Sequence, residues 1–354
     1  MTIAIPTRRS GSYGLRNRAA PCIAPVAALI YPFTLKLFNF AVTAHAASDG
    51  SASDVALAAF ALFLSFALPA ATLVSAMRLA ELEMPTAAQL RAKRIAIFSV
   101  AAPTIFVFIG VLLYMAGDPV PDTWAWVAFW AVLTLSVLRA DNGAPAILEA
   151  KPIAPALRVA HGIAALAIIL IFLGFHLTNH LAGLSGPEAH TAFQKVVRHV
   201  YRARIVEPLL VALFFFQAGS GLYFAFRHMA KPMDRFRAFQ VASGMYLAFY
   251  VVGHMDSVFI FARTYLGIDT GWGFATGAPT GLVKDPWNIR LVPHYALGVF
   301  FVLAHMAAGL RVVLLAHGMR KETADRVMIG GAATGGLVAA LIILAMCGMR
   351  LQFA

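Results

Sequence analysis

Charge is what this chain has least of. Only 12% of its 354 residues are Asp, Glu, Lys or Arg, and just 16 of them are acidic. With 60% hydrophobic residues and a mean hydropathy of +0.77, an ordinary soluble globule is excluded. Cysteine is nearly absent as well: Cys22 and Cys347 stand at opposite ends, and no CxxC or CxxCH occurs. Motif-borne iron–sulfur clusters and covalent c-type haem are thereby excluded. A glycine-rich flavin fingerprint is also missing, so any flavin chemistry would belong to another subunit. Nothing alternates with the ten-residue rhythm of membrane barrel strands. The net charge of +12 does not point to nucleic acid, because the Arg and Lys sit at the ends of apolar runs. There they report orientation and anionic lipid headgroups.

What the chain does have is apolar runs of about 20 residues, each closed by charges or by Pro and Gly. Spans are expected at about 25–47, 55–77, 95–116, 124–138, 157–182, 204–227, 237–263, 293–316 and 327–349. The expected architecture is an all-α polytopic membrane protein of about nine transmembrane helices. An amino-terminal region of four helices, residues 1–150, would precede a carboxy-terminal bundle of five, residues 151–354.

AHAAS at 44–48 has the look of a signal-peptidase site. The preceding run is long and carries Lys36, which favours an uncleaved first helix. The basic amino-terminal segment, with Arg8, Arg9, Arg16 and Arg18, and the alternation of basic and acidic loops place the amino terminus in the cytoplasm. The expected location is the bacterial inner (cytoplasmic) membrane. The loop 184–203 breaks the charge pattern with Lys195, Arg198 and Arg202. Phe193, Val196, Val197 and Val200 have helical spacing there, as in an amphipathic helix at the interface. Residues 90–117 and 157–183 show a faint self-similarity no stronger than shared composition would give.

Three of the eleven histidines fall in one run, LRVAHGIAALAIILIFLGFHLTNHLAG, residues 157–183. His161 and His176 would lie about 22 Å apart along a helix, and His180 follows His176 by one turn. Buried imidazoles in a membrane need partners, and iron is a common one. Counting residues from helix ends puts His176 about 9 Å and His254 about 13 Å from the outer side. One haem could be gripped between them. His305 falls near mid-membrane, level with Gln217, and His161 is too close to the inner surface to meet it. His294 sits at the outer boundary, beside a propionate, a quinone or headgroups. His45, His190, His199, His228 and His317 are expected to be solvated. Arg158 has two readings, a propionate partner or an ordinary positive-inside residue. Asp256 likewise reads as a proton relay to quinone or as a plain surface carboxylate.

Four pieces then stand in order: RVAHG with HLTNH, FQAGSGLYFAF, FQVASGMYLAFYVVGH and AHMAAGLR. In sequence and spacing, residues 157 to about 317 resemble the cytochrome b membrane-anchor subunit of succinate dehydrogenase and fumarate reductase, in its single-chain five-helix form. The resemblance implies a bundle that binds haem b and passes electrons between quinone and peripheral flavoprotein and iron–sulfur subunits. It assigns His176 and His254 to the haem farther from the dehydrogenase and His305 to the nearer one. Gln217 stands where that nearer haem's second histidine is expected, so one haem is expected. His161 matches a histidine not counted as a ligand. The rival readings are a stand-alone membrane haem protein, for which the extra helices and Gln217 argue, and a haem-free transporter or structural protein.

Overall fold

The nine apolar runs become helices whose limits are set by proline, glycine and local caps. The computed structural model describes residues 20–47, 50–139, 146 and 152–351; Arg8, Arg9, Arg16, Arg18 and Ser48 of the AHAAS sequence lie outside them. Among the described residues there is no β-strand. We number the principal helices α1 (Ala20–Ala47), α2 (Ala52–Ala80), α3 (Ala87–Ser99), α4 (Ala102–Met115), α5 (Asp122–Leu138), α6 (Pro155–Ser185), α7 (Pro187–Tyr201), α8 (Val206–Met229), α9 (Arg235–Tyr265), α10 (Asn288–Ala316) and α11 (Lys321–Met346).

Seven of these, α1, α2, α6, α8, α9, α10 and α11, are long and apolar enough to cross a membrane. The chain is thus an all-α polytopic membrane protein. An eighth crossing arises only if α3 and α4 form one span, and they meet at a bend of 66°. Pro103 explains the break, because its ring excludes the amide that would continue the α3 ladder. A capping box starts α3, with Thr86 Oγ1 accepting from Gln89 N and the Gln89 side chain accepting from Thr86 N. At 17 residues, α5 is shorter than a full span.

The two expected regions share one core. Trp126 and Trp130 of α5 are fully buried, and the Trp126 indole donates to Ala28 O of α1 at 2.8 Å. Tyr31, Phe106, Val241, Tyr246 and Ile342 belong to the same buried cluster. Across the halves, Arg290 Nη1 donates to Asp122 Oδ2 at 2.6 Å, with the guanidinium 4.5 Å over the Phe106 ring. The most apolar stretch of α1 is 56% buried, whereas that of α6 is only 11% buried. Helix α1 is therefore a central element of the packing. By contrast α6 is peripheral, presenting Ile163 and Leu170 outward, as lipid contact requires.

Between α6 and α7 the chain turns at Gly186, whose φ of +124° suits glycine, and Pro187 starts the next helix. Helix α7 is amphipathic as expected for 184–203. It buries His190 and Val197 and exposes Val196 and Val200.

Candidate functional site: a histidine-lined cavity

One end of the carboxy-terminal helices encloses a cavity of about 250 Å³, lined from α6, α7, α8, α9, α10 and α11. A water needs only about 10–15 Å³ on this measure, so the space suits a cofactor rather than a packing gap. His176 and His254 both line it, and their ring centroids stand 6.1 Å apart with planes at 68°. Two imidazoles on one metal, each nitrogen about 2 Å from it, put their centroids on the order of 6 Å apart. Neither ring makes a hydrogen bond among the described residues. The donor set and separation therefore fit a six-coordinate haem iron.

Each ring is held by an aromatic one helical turn before it. Phe172 stacks on His176 at 4.8 Å, and Tyr250 stacks on His254 at 5.6 Å with planes only 5° apart. The F-x-x-x-H and Y-x-x-x-H spacings place each pair on one helix face. Tyr250 fits because Gly298 opposes it, so a Cβ there would meet its ring. The helices are locally widened at the same places: α6 is π-helical at Ile169–Leu173, just before His176, and α9 at Asp256–Tyr265, just after His254. Such turns often re-aim side chains at functional sites.

More histidines converge here than the sequence reading placed. His180 lies 4.8 Å from His176 and 5.4 Å from His190. The expectation that His190 is solvated is wrong. It is 1% exposed, bonded to Asn179 at 3.0 Å and packed 4.6 Å from Trp272. Its position on the α7 face shared with Val197, seven residues on, was the legible signal. Burial first, and the Arg198 guanidinium second, hold its pKa down at about 4, so the ring is neutral near pH 7. Nor is His294 at an open boundary: it is buried against Tyr250 at 4.7 Å and Tyr295 at 5.2 Å. Asp256 is half-buried, with Oδ2 enclosed and unbonded among the described residues.

Three guanidiniums reach the cavity, and Arg158 is not among them, being exposed at the start of α6. Arg198 Nη1 pairs with Asp269 at 2.9 Å, Arg202 stands 3.7 Å from the same carboxylate, and Arg263 pairs with Glu207 at 2.6 Å. The Arg198 hydrogen bonds, ahead of its charge, keep Asp269 below the usual carboxylate range.

The other histidines form a second, separate arrangement. Ser220 Oγ donates to Phe216 O at 2.6 Å, so it accepts from His161 Nδ1 at 2.7 Å. His161 Nε2 is then the free lone pair, and the Gln217 amide donates to it at 3.0 Å. Likewise Ser243 Oγ donates to Gln240 O at 3.1 Å and accepts from His305 Nδ1 at 2.9 Å. His161 reaches Gln217, the residue expected level with His305, but makes no hydrogen bond to His305 itself. From the ends that α6 and α8 share on that side, His161 is about 9 Å in and Gln217 about 18 Å. The two helix ends are therefore staggered by more than a turn, which counting from each end ignores.

Among the described residues, no three His, Cys, Asp or Glu side chains converge as a bare-metal site. No protein-family model, curated protein or solved structure matches the chain.

Proposed function

We propose that this protein binds one b-type haem between His176 and His254 and serves as a membrane-anchor cytochrome, linking a peripheral dehydrogenase of the succinate dehydrogenase or fumarate reductase kind to quinone. The observation that carries the reading is the pair of unbonded imidazoles, 6.1 Å apart, facing one cofactor-sized cavity. The four-piece resemblance supplies flavoprotein and iron–sulfur subunits as partners; the alternation of basic and acidic loops supplies a cytoplasmic amino terminus, and the location is the bacterial inner membrane.

When bound, the haem supplies one-electron chemistry that the side chains lack. The protein's own part is to hold and insulate it. Phe172 and Tyr250 fix the two imidazoles, and apolar walls from α8 and α10 exclude water. Arg198, Arg202 and Arg263 offer cations for propionates at the polar rim. His161 takes no part in ligation here, because both of its ring nitrogens are engaged, by Ser220 and Gln217; His305 has Nδ1 engaged by Ser243, and no second histidine ring packs against it among the described residues. That engagement also favours a second reading, a stand-alone haem protein without a two-haem path to a partner.

The deciding measurement is a pyridine haemochrome assay on purified protein and its variants. One haem per chain is expected, lost in His176→Ala and in His254→Ala and kept in His305→Ala. Two haems, or loss in His305→Ala, would overturn the ligand assignment. Absence of any reduced-minus-oxidised α band would favour a haem-free transporter. Copurification of a flavoprotein distinguishes the anchor from the stand-alone form.

A further inference from the structure

The opposite end of the carboxy-terminal helices holds a second, smaller cavity, of about 40 Å³. A water needs about 10–15 Å³ on this measure, so the space suits a small ion and excludes any planar cofactor. Asp234, Arg237 and Gln240 line it from the start of α9 and Arg311 from near the end of α10, with Ala308 and Met328 as an apolar wall.

The Arg311 side chain is 9% exposed and is held twice. Its Nε donates to Asp325 at 2.6 Å, and the guanidinium lies 4.3 Å over the Phe236 ring. Those contacts fix its plane and leave both Nη groups, which keep accessible surface and make no hydrogen bond among the described residues. Arg237 Nη1 donates to Gln240 Oε1 at 2.6 Å. A guanidinium can only donate, so this bond sets the Gln240 amide and leaves its N–H group unpaired among the described residues. The one carboxylate on the lining, Asp234, is partly occupied as the α9 cap, its Oδ1 accepting from Arg237 N at 2.7 Å.

Charge around the cavity is unbalanced in the same sense. Arg158 and Arg311 lie within electrostatic reach of Arg237, and His228 lies within reach of Arg237, Lys231 and Arg158. Four cations, Arg158, Lys231, Arg237 and Arg311, thus stand against Asp234 and Asp325. Like charges gathered around unpaired donors are costly unless an anion joins them. Two guanidinium forks and an amide N–H match the several oxygens of a phosphoryl group.

We infer that Arg237, Gln240 and Arg311 form a site for one phosphoryl oxyanion, at the ends of α9 and α10 away from the histidine-lined cavity. The phosphodiester of an anionic lipid headgroup and free phosphate present the same oxygens, and helix ends at headgroup level can meet either. The site shares no residue with the haem proposal and stands or falls without it.

The test is equilibrium dialysis of the full-length protein, in phosphatidylcholine nanodiscs at fixed chloride, against radiolabelled inorganic phosphate. Saturable binding of one phosphate per chain is expected. Its Kd should rise roughly tenfold or more in Arg311→Lys and in Arg237→Gln, as loss of a charge-assisted hydrogen bond predicts. Arg311→Lys keeps a cation beside Asp325 but not the fork, so an unchanged Kd there would mean a diffuse positive surface and overturn the inference. Arg237→Gln, at a half-buried position, covers the case in which Arg311→Lys does not accumulate. Discs containing phosphatidylglycerol assign the source. Loss of labelled phosphate, with one phosphatidylglycerol retained by the parent but not by Arg311→Lys in native mass spectrometry, identifies the lipid headgroup; persistent phosphate binding identifies the free ion. Neither saturable phosphate binding nor a retained phosphatidylglycerol in the parent would sink the site.

Discussion

The two histidine groups of this protein differ in what their nitrogens touch. Near the cavity, His176 and His254 face each other unbonded, with His180, His190 and His294 around them. At the other level, His161 and His305 each give Nδ1–H to a serine that is itself anchored to a carbonyl. Residue type is the same and helix context similar. At His161 both ring nitrogens are taken, by Ser220 and Gln217, whereas at His305 the serine takes Nδ1 alone.

That contrast can be broken from either side. The largest effect is expected from Gly298→Val, which drives a side chain into the Tyr250 ring and so dislodges the stack on His254. Overpacking of this kind costs about 1–3 kcal/mol. Haem content should fall by more than half, as counted by haemochrome. A variant with full haem and unshifted melting would show that Tyr250 does not position His254.

At the other level, Ser220→Ala removes the acceptor for His161 Nδ1 and should cost about 1–3 kcal/mol. Haem content should stay the same. Thermal unfolding followed by circular dichroism gives the first number and haemochrome the second; a loss of haem would merge the two groups into one site.

Acid should act on the cavity group through His190. His190 has a pKa of about 4 in the fold, against about 6.5 when unfolded. Between those values the unfolded chain binds more protons, so stability is complete above pH 6.5 and declines as pH falls toward 4. A melting series from pH 7.5 to 5 should therefore fall for the parent and fall less for His190→Gln. Parallel slopes would remove His190 from the account.

The smallest change is expected for Gln217→Leu. Gln217 gives His161 one bond but keeps Oε1 enclosed and unbonded among the described residues, and the gain and loss nearly offset. A shift within about 1 kcal/mol is expected. A larger one would mean that Gln217 holds α6 to α8.

Much of the fold was legible. Hydrophobic length alone located the apolar helices, and Pro103 and Gly186 sit at two of their breaks. The His176–His254 pairing followed from depth because α6 and α9 run parallel and finish close to one another. The same arithmetic failed for His161, where α8 extends past the start of α6. His190 was misplaced for a different reason: it lies on a short amphipathic helix, where exposure depends on the face and not on distance from a helix end. The ion pairs Arg198–Asp269 and Arg263–Glu207 join residues more than 50 positions apart, and no local pattern announces them.

The buried pair of Arg290 and Asp122 has a consequence for genetic dissection. The carboxylate belongs to α5 and the guanidinium to the turn that opens α10, 168 residues later. A minimal fragment that kept only the cytochrome-like half would carry Arg290, 7% exposed, into the bilayer without its counter-charge. Removing one partner of such a pair typically costs about 3–5 kcal/mol. The amino-terminal helices thus supply the counter-charge that Arg290 needs, and a fragment without them is expected to be less stable than the whole chain.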